Sequence, residues 1–338
     1  MPETNCTRNN HLAIIVANIE LASPVLLAPL AGITDLPFRN LVAGFGAGLV
    51  VSEMVASQEM VQAKPGVRER AELGFGVADT SVQLAGREAH WMAEAARMVE
   101  ANGARIIDIN MGCPAKKVVN GYSGSALLKD LDHALTLIEA VVGAVKIPVT
   151  LKTRLGWDDD LLNAPELARR AEAAGIAMIT IHGRTRCQFY KGSADWAAIR
   201  AVRETVTIPV IANGDIVDAN TARRALNASG ADGVMIGRGA QGRPWLLSQV
   251  DAALSGAQAP EKPLGHDLID MVCSHYDAML SFYGADLGGR VARKHLGWYM
   301  DDAGTPTGLR KRVLTAKPEQ TMRLLPDALS FSAEQVAA

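Results

Sequence analysis

Residues 208–239 read IPVIANGDIVDANTARRALNASGADGVMIGRG and contain one complete strand–helix–strand unit. Two short apolar runs, Val210–Ala212 and Gly233–Ile236, flank the segment Asp218–Ala228, which has the length and Ala content of a helix. Gly230 follows that helix as a candidate C-cap. Because both strands are apolar throughout instead of alternating, the unit predicts a parallel sheet that is covered on both faces.

The same unit recurs along the chain and predicts a closed barrel. The other predicted strands are Val25–Ala28, Leu49–Ser52, Ser81–Leu84, Ile106–Asn110, Val149–Lys152 and Met178–His182. The other predicted helices include Ala89–Ala101, Asp132–Val145, Ala164–Ala174 and Ala194–Glu204. Eight alternating units favour an α/β fold with a parallel (β/α)8 TIM barrel. The alternative is an open Rossmann-type sheet, but the first strand lacks the GxGxxG fingerprint that such a sheet carries.

The segments outside the barrel are shorter and differ in composition. We predict an N-terminal extension and hairpin at 1–20, a barrel at 21–254, a polar Pro-containing linker at 255–264, a helical domain at 265–330 and a tail at 331–338. The hairpin, Ala13–Leu21, is expected to close the bottom of the barrel. The predicted helices of the last domain are His266–Tyr283, Gly289–Asp302 and Thr307–Thr315.

Composition excludes several classes of protein. The chain has 338 residues, of which 49% are hydrophobic and 21% charged, as in a well-packed globule. No apolar run approaches the roughly 18 residues that a membrane span needs, and no signal peptide is evident. The four cysteines, Cys6, Cys113, Cys187 and Cys273, have no CxxC spacing. We therefore expect no metal site, no disulfide framework and a cytoplasmic location.

A local basic segment stands out in a chain whose net charge is −2. Between Gly288 and Leu324 there are eight basic and three acidic residues. The basic ones are Arg290, Arg293, Lys294, Arg310, Lys311, Arg312, Lys317 and Arg323. Contact with a polyanion is therefore expected here and not over the whole surface. A solvated helical face is the alternative interpretation.

Polar groups follow nearly every apolar strand, where barrel enzymes place their active sites. In order they are Ala28–Gly32, Glu53, Gln83, Asn110–Pro114, Lys152–Arg154, His182–Arg184, Asn213–Asp215 and Gly237–Gly239. The last two loops are rich in glycine and follow strands seven and eight, which commonly bind a phosphate in such barrels. Glycine allows close approach of backbone N–H groups, and Arg238 can add charge. Two tight turns without a ligand remain the alternative.

Three single side chains carry candidate chemistry. Lys152 at a strand end could form a Schiff base, hold the electron-rich edge of a flavin, or extend into solvent. Cys113 lies in NMGCP at the barrel mouth and could be a nucleophile, a general acid or a small buried side chain. His182 could bind phosphate or substrate, or be a core histidine.

Several stretches together resemble one family, the tRNA-dihydrouridine synthases, and within it the bacterial B-type branch. They include APLAGITDLPFR (28–39), DINMGCPAKKVVNGYSGSALL (108–128), HGRTRCQFYKGSADW (182–196), GADGVMIGRGAQGRPW (230–245) and ARKHLGWY (292–299). The resemblance covers about residues 20–315. The combination of the segment around Cys113 with HGRTR is specific to this family.

The resemblance implies an activity and its cofactors. It implies NADPH-driven reduction of the C5=C6 bond of a D-loop uridine in tRNA to 5,6-dihydrouridine, on an FMN-binding barrel. In that reaction FMN N5 delivers hydride to C6, and Cys113 gives the proton to C5 as general acid. A stacked uridine must be extruded from the tRNA to reach such a site.

The resemblance also implies roles for individual residues. Around FMN it places Ala28, Pro29 and Leu30 in the first loop, Gln83 and Lys152 at the polar ring edge, and His182, Asn213, Gly214, Asp215, Gly237 and Arg238 at the phosphate. It places Asn110, Arg154 and Arg184 near the base or the flavin. It assigns Arg290, Arg293, Lys294, Arg310, Lys311 and Arg312 to the tRNA backbone.

Two other functions stay open at this level. Another FMN barrel, such as a dihydroorotate dehydrogenase or an old-yellow-type ene-reductase, would act on a small molecule and need no basic C-terminal domain. A regulatory protein or RNA chaperone could keep the fold without catalysis, although the set of Cys113, Lys152 and His182 argues against it.

Overall fold

A computed structural model describes residues 13–63 and 80–331 of the chain. The predicted N-terminal extension as far as residue 12, with Cys6, and the tail from residue 332 lie outside the described residues. Within the two described ranges, no helix is long and apolar enough to traverse a lipid bilayer.

Eight parallel strands close into a barrel, which confirms the predicted fold class. Outside the ring are an antiparallel hairpin of Ile15–Val16 (β1) and Ile19–Glu20 (β2) and the short strand Val55–Ala56 (β5). The eight barrel strands are Val25–Leu27 (β3), Leu49–Val51 (β4), Thr80–Ala85 (β6), Ile106–Met111 (β7), Val149–Arg154 (β8), Met178–His182 (β9), Val210–Asn213 (β10) and Gly233–Ile236 (β11). The ring closes because β11 pairs with β3 and β4 pairs with β6. All eight predicted strands are present, and β5 extends the path of the second one along β6.

Helices follow the strands around the outside of the barrel. They are Leu36–Gly44 (α1), Ser57–Val61 (α2), Ala89–Ala101 (α3), Lys116–Val119 (α4), Leu131–Val142 (α5), Ala164–Ala173 (α6), Arg200–Arg203 (α7), Ala219–Ser229 (α8) and Leu246–Ser255 (α9). The predicted helix Asp132–Val145 was too long at its end, because the helix stops at Val142 with Gly143 as its C-cap.

The predicted helix Ala194–Glu204 was wrong in its first half. Only a 3-10 turn at Ala197–Ile199 and the four residues of α7 are helical. The Ala194 N–H donates to Asp215 Oδ2 (2.8 Å), and the Asp195 carboxylate accepts from the Ala198 N–H (3.0 Å). The start of this segment is therefore fixed to a strand-end loop and cannot join the helix.

The hairpin closes the N-terminal end of the barrel, as predicted. Ile14 and Val16 belong to the apolar cluster that fills the barrel interior together with Leu26, Leu49 and Ile211. A β-carbon built on Gly233 would lie 2.6 Å from Ile14 Cδ1, so the hairpin presses on the start of β11. The opposite, C-terminal end of the barrel remains open.

Between residues 265 and 331 the C-terminal region contains five helices, two more than the three predicted from the sequence pattern. They are Gly265–Tyr283 (α10), Ala285–Val291 (α11), Arg293–Asp302 (α12), Thr307–Thr315 (α13) and Pro318–Leu329 (α14). The predicted helix Gly289–Asp302 is in fact α12 and the end of α11. The prediction missed α14, whose two prolines resemble breaks in sequence. Pro318 is tolerated at the first turn, while Pro326 lies inside the helix.

The helical region packs directly on α1. The Phe38 ring lies 4.8 Å from the ring of His295 on α12 and 5.8 Å from the ring of His275 on α10. Burial lowers the pKa of His295 to about 4 and that of His275 well below its usual value. Both imidazoles are therefore neutral at pH 7 and pack as aromatic rings.

Candidate active site

A cavity of about 770 Å³ opens at the C-terminal ends of the barrel strands. Fourteen residues to which the resemblance assigns a role line it: Ala28, Pro29, Leu30, Gln83, Asn110, Cys113, Lys152, Arg154, His182, Asn213, Gly214, Asp215, Gly237 and Arg238. The structure therefore brings the candidate catalytic thiol and every candidate cofactor residue to one cavity.

A buried hydrogen-bond network fixes Gln83 in the cavity. Its amide nitrogen donates to Asp108 Oδ2 (2.6 Å), and its amide oxygen accepts from Asn110 Nδ2 (2.7 Å). Thr150 Oγ1 donates to the other oxygen of Asp108 (2.6 Å). Burial raises the pKa of Asp108, although these donors oppose the rise. Sequence reasoning missed Asp108, which looks like part of an apolar strand.

The backbone of Cys113 is held from both sides. Asn110 Oδ1 accepts from the N–H groups of Cys113 (2.9 Å) and Gly112 (3.2 Å). On the other side, Ser125 Oγ donates to the Cys113 carbonyl (2.9 Å). Gly124 has φ +58°, and a β-carbon there would lie 2.8 Å from the same carbonyl oxygen. The loop thus keeps the half-buried Cys113 at the cavity in a fixed backbone geometry.

Lys152 supplies a cation to the cavity. Its Nζ donates to Asn213 Oδ1 (3.0 Å), and Asn213 in turn donates to the Met235 carbonyl (2.8 Å). An ammonium has three N–H donors, so a ligand can accept from the others. Burial, reinforced by the charge of Arg154, lowers the pKa of Lys152 to about 8. An anion or an electron-rich group beside Nζ would favour the protonated amine.

Arg154 ties the cavity to the loop after β9. Its Nε donates to the Gly112 carbonyl (2.8 Å), and its Nη1 donates to the carbonyls of Thr185 (3.0 Å) and Phe189 (2.9 Å). Burial lowers the pKa of Arg154 to about 10, which still leaves it charged at pH 7.

Arg184 does not reach the cavity, in contrast to its predicted place near the base or the flavin. Only 1% of it is exposed. Its guanidinium donates to both carboxylate oxygens of Asp215, at 3.0 and 2.5 Å, and to the Gly192 carbonyl (2.7 Å). Burial alone would raise the pKa of Asp215. The hydrogen bonds from Arg184 and from the Ala194 N–H, together with the charges of Arg184 and Arg238, lower it instead. Arg184 therefore positions the loop that carries Asp215.

His182 is neutral at the same end of the cavity. Its pKa is lowered well below the usual value by burial and then by the charges of Lys152, Arg154, Arg184 and Arg238. Arg184 Nη1 lies 3.3 Å from His182 Nε2. Because a guanidinium can only donate, Nε2 acts as acceptor and the ring proton is on Nδ1.

Gly214 is required where β10 ends. Its φ is +114°, and a β-carbon would lie 2.8 Å from His182 Cδ2. A side chain there would displace the imidazole. Together with the exposed Arg238, this leaves a cationic, glycine-lined end of the cavity that fits a phosphate.

Seven lining residues were not singled out in the sequence: Ile33, Met54, Tyr190, Ile216, Val217, Gln241 and Arg243. Tyr190 is 53% exposed, and its ring lies 5.5 Å from Arg154 Cζ and 5.1 Å from Arg238 Cζ. Its position in HGRTRCQFYKGSADW is the only signal that could have identified it, since no periodicity marks a loop residue.

The predicted tRNA contacts in the helical region differ in their surroundings. Arg290, Arg293, Lys294, Lys311 and Arg312 are exposed and form no ion pair with any residue in 13–63 or 80–331. Arg310 instead pairs with Asp301 (2.7 Å). Lys294 Nζ reaches the barrel mouth, where a β-carbon on Gly32 would lie 3.4 Å from it.

Comparison with known proteins gives a consistent result. The family model described as "Dihydrouridine synthase (Dus)" matches residues 26–329. A "Probable tRNA-dihydrouridine synthase" of Rhodobacter capsulatus is 63% identical, covering 94% of this chain and 98% of that protein. A "tRNA-dihydrouridine synthase B" of Xanthomonas axonopodis pv. citri is 45% identical, covering 91% of this chain and 93% of that protein.

Solved structures share the fold at low sequence identity. A histamine dehydrogenase from Rhizobium sp. 4-9 has a TM-score of 0.56 at 12% identity, covering 79% of this chain and 50% of that one. A morphinone reductase variant in complex with tetrahydroNAD has a TM-score of 0.54 at 15% identity, covering 74% of this chain and 91% of that one.

Proposed function

The chain belongs to the dihydrouridine synthase family, and on this premise we propose that it uses FMN and NADPH to reduce a D-loop uridine of tRNA to 5,6-dihydrouridine. The observation that carries the proposal is one cavity that combines Cys113, Lys152 and a cationic glycine-lined end. A cytoplasmic location follows as part of the proposal, because tRNA is its substrate.

The residues of the cavity fit FMN. The backbone of Gly214 and Gly237 and the side chain of Arg238 would hold the phosphate, with His182 beside them. Gln83 and Lys152 would hold the polar edge of the ring, and Ala28, Pro29 and Leu30 would pack against it. Besides Arg238, three basic residues line the cavity, Lys152, Arg154 and Arg243, and among the described residues the one acidic lining residue is Asp215. The net positive charge of the cavity suits an anionic ligand.

The protein's own groups would perform the proton transfer. When bound, reduced FMN supplies a hydride to C6 of the uracil, which is the electrophilic position of the C5=C6 bond. The Cys113 thiol would then donate its proton to C5 as a general acid. The bonds from Asn110 and Ser125 keep the cysteine in place for this step.

The target base would bind between the thiol and the loop after β9. Asn110, Arg154 and Tyr190 line this side of the cavity and offer an amide, a guanidinium and an exposed aromatic face. The basic residues of α11, α12 and α13 would contact phosphates and position the tRNA. Arg290, Arg293 and Lys294 are the exposed cations on the first two helices.

One experiment tests the proposal directly. Purified protein should bind FMN and turn yellow, NADPH should bleach the colour, and unmodified tRNA should then gain dihydrouridine. The modified position is read by mapping tRNA from a deletion strain with and without the restored gene. A protein that binds no FMN, or that reduces a small enone but never tRNA, would contradict the proposal.

Charge reversal in the helical region is expected to weaken tRNA binding. Arg290→Glu with Arg293→Glu should lower the salt dependence of log K by about one unit for each lost phosphate contact. Binding is measured by titration over a range of salt concentrations. The control is Arg97→Glu with Lys146→Glu, which makes the same change of charge on the outer barrel surface. Equal effects of the two pairs would place the RNA elsewhere.

A further inference from the structure

A second cavity of about 420 Å³ lies beside the first, and Met54 lines both. Its walls are residues 54–59 after the second barrel strand, 85–91 after the third, and 117–123 in the loop that begins at Cys113. The chemistry assigned to Cys113 does not use it. We propose that this cavity binds the base of the nucleotide next to the target uridine in the same RNA strand, which rests on the function proposed above.

The lining suits a nucleobase. Trp91 is half-buried in the wall, and an indole offers a flat face on which any base can stack. Ser57, Gln58 and Ser123 add hydroxyl and amide groups at the edges of the cavity. Stacking with few specific polar contacts tolerates different bases, as expected for a position that is held but not chemically changed.

The distribution of charge separates base from phosphate. Arg87 and Glu88 line the cavity as an exposed ion pair (3.3 Å), and Glu59 lines it as well. At the α4 side, Lys117 lines the rim of the cavity and Lys116 is next to it; both are exposed and form no ion pair with the part of the chain that the structure describes. A phosphate is therefore favoured at the rim and an uncharged base inside. A phosphate of a dinucleotide would meet one arginine against two glutamates on this part of the wall.

The loop that holds Cys113 also builds this rim. The N–H groups of Gly121 and Ser123 both donate to the Val118 carbonyl, at 3.1 and 3.2 Å. Between them Tyr122 has φ +54° and is 74% exposed, so the loop presents an aromatic ring to solvent. A left-handed non-glycine residue persists only where its surroundings fix it. A base bound here would therefore be placed in register with the thiol.

The shared wall makes the two cavities suitable for neighbouring nucleotides. A strand whose target base enters the catalytic cavity can place the next base beyond Met54 without leaving the barrel mouth. Lys294 Nζ lies near the mouth at Gly32, in the loop after the first barrel strand, 3.4 Å from where a β-carbon on that glycine would be. The strand would thus be held at two edges of the mouth.

The test combines protein variants with altered RNA. Unmodified tRNA is prepared with an abasic site on the 5′ or the 3′ side of the mapped target position. On one side the abasic site should weaken binding to the wild-type protein roughly five- to tenfold. Trp91→Leu should weaken binding of intact tRNA by a similar factor, and the abasic site should then add nothing. Flavin content and melting temperature verify that the variant is folded.

A second variant tests the rim independently. The double variant Lys116→Gln with Lys117→Gln should weaken tRNA binding. The slope of log K against log salt concentration should become shallower by about two units, one for each lost phosphate contact. Lys146→Gln, an exposed lysine at the opposite end of the barrel, is the control. Additive effects of Trp91→Leu and both abasic sites would overturn the proposal, as would rim variants that match the control. A raised KM for NADPH in Trp91→Leu would assign the cavity to the dinucleotide. Dihydrouridine formation is mapped first, so its absence contradicts the proposed function, whereas a wild-type protein that forms dihydrouridine but binds both abasic tRNAs as tightly as intact tRNA overturns only this inference.

Discussion

Cys113→Ala is expected to lower the rate of dihydrouridine formation by about 10²- to 10⁴-fold, the usual contribution of a positioned general acid. The substitution removes the thiol that would protonate C5 but leaves the backbone bonds to Asn110 and Ser125 intact. FMN should therefore stay bound at full occupancy. The rate is measured in single turnover with the enzyme reduced beforehand, so that NADPH oxidation does not limit it.

The neighbouring cysteine provides the control for this variant. Cys187 is exposed on the loop after β9 and does not line the cavity. Cys187→Ala should react at the wild-type rate. If Cys113→Ala were within a factor of about two of wild type, another acid would have to be sought.

Lys152→Met should weaken FMN binding by about 10- to 100-fold, because it removes a charge-assisted hydrogen bond from the cavity. The pH dependence gives a sharper test. In the flavin-free protein the pKa of Lys152 is about 8. On the function proposed above, we expect FMN to bind best to the protonated amine. Affinity should therefore be full below that pH and fall as the pH rises through it. The affinity of Lys152→Met should change little between about pH 7 and pH 9.

Fluorescence titration of FMN at several pH values measures both effects. Lys146→Met removes the same charge at the far end of the barrel and should keep the wild-type affinity and pH profile. A wild-type affinity that rises with pH would mean that FMN prefers the neutral amine. That result would remove Lys152 from the ring edge.

Sequence periodicity was sufficient for the barrel but not for the helical region. A buried parallel strand needs an uninterrupted apolar run, so strands such as Met178–His182 and Gly233–Ile236 were predicted with their observed bounds. The helix Pro318–Leu329 is amphipathic but contains two prolines, and its stability depends on packing against α10 and α13. Tertiary contacts of that kind leave little trace in local sequence.

Some residues of the candidate site could likewise be predicted from the sequence, and others could not. Strand-end positions such as Lys152 and Asn213 follow from the barrel geometry alone. Arg184 occupies a strand-end loop too, but its guanidinium turns to Asp215, and no pattern predicts which way a side chain points. Tyr190 and Met54 enter the cavity from loops, whose course depends on contacts made far away in the sequence.

The packing of the His295 and His275 rings against Phe38 has a consequence for protein engineering. Phe38 belongs to α1, the first helix of the barrel. Asp35 is the N-cap of α1, and its charge, after burial, helps to raise the pKa of Tyr283 on α10. A chimera that receives the last five helices of a distant relative would lose these matched partners. On the proposed role of the C-terminal helices in tRNA binding, an attempt to change the tRNA substrate should transplant α1 together with these five helices, because their side chains pack against each other.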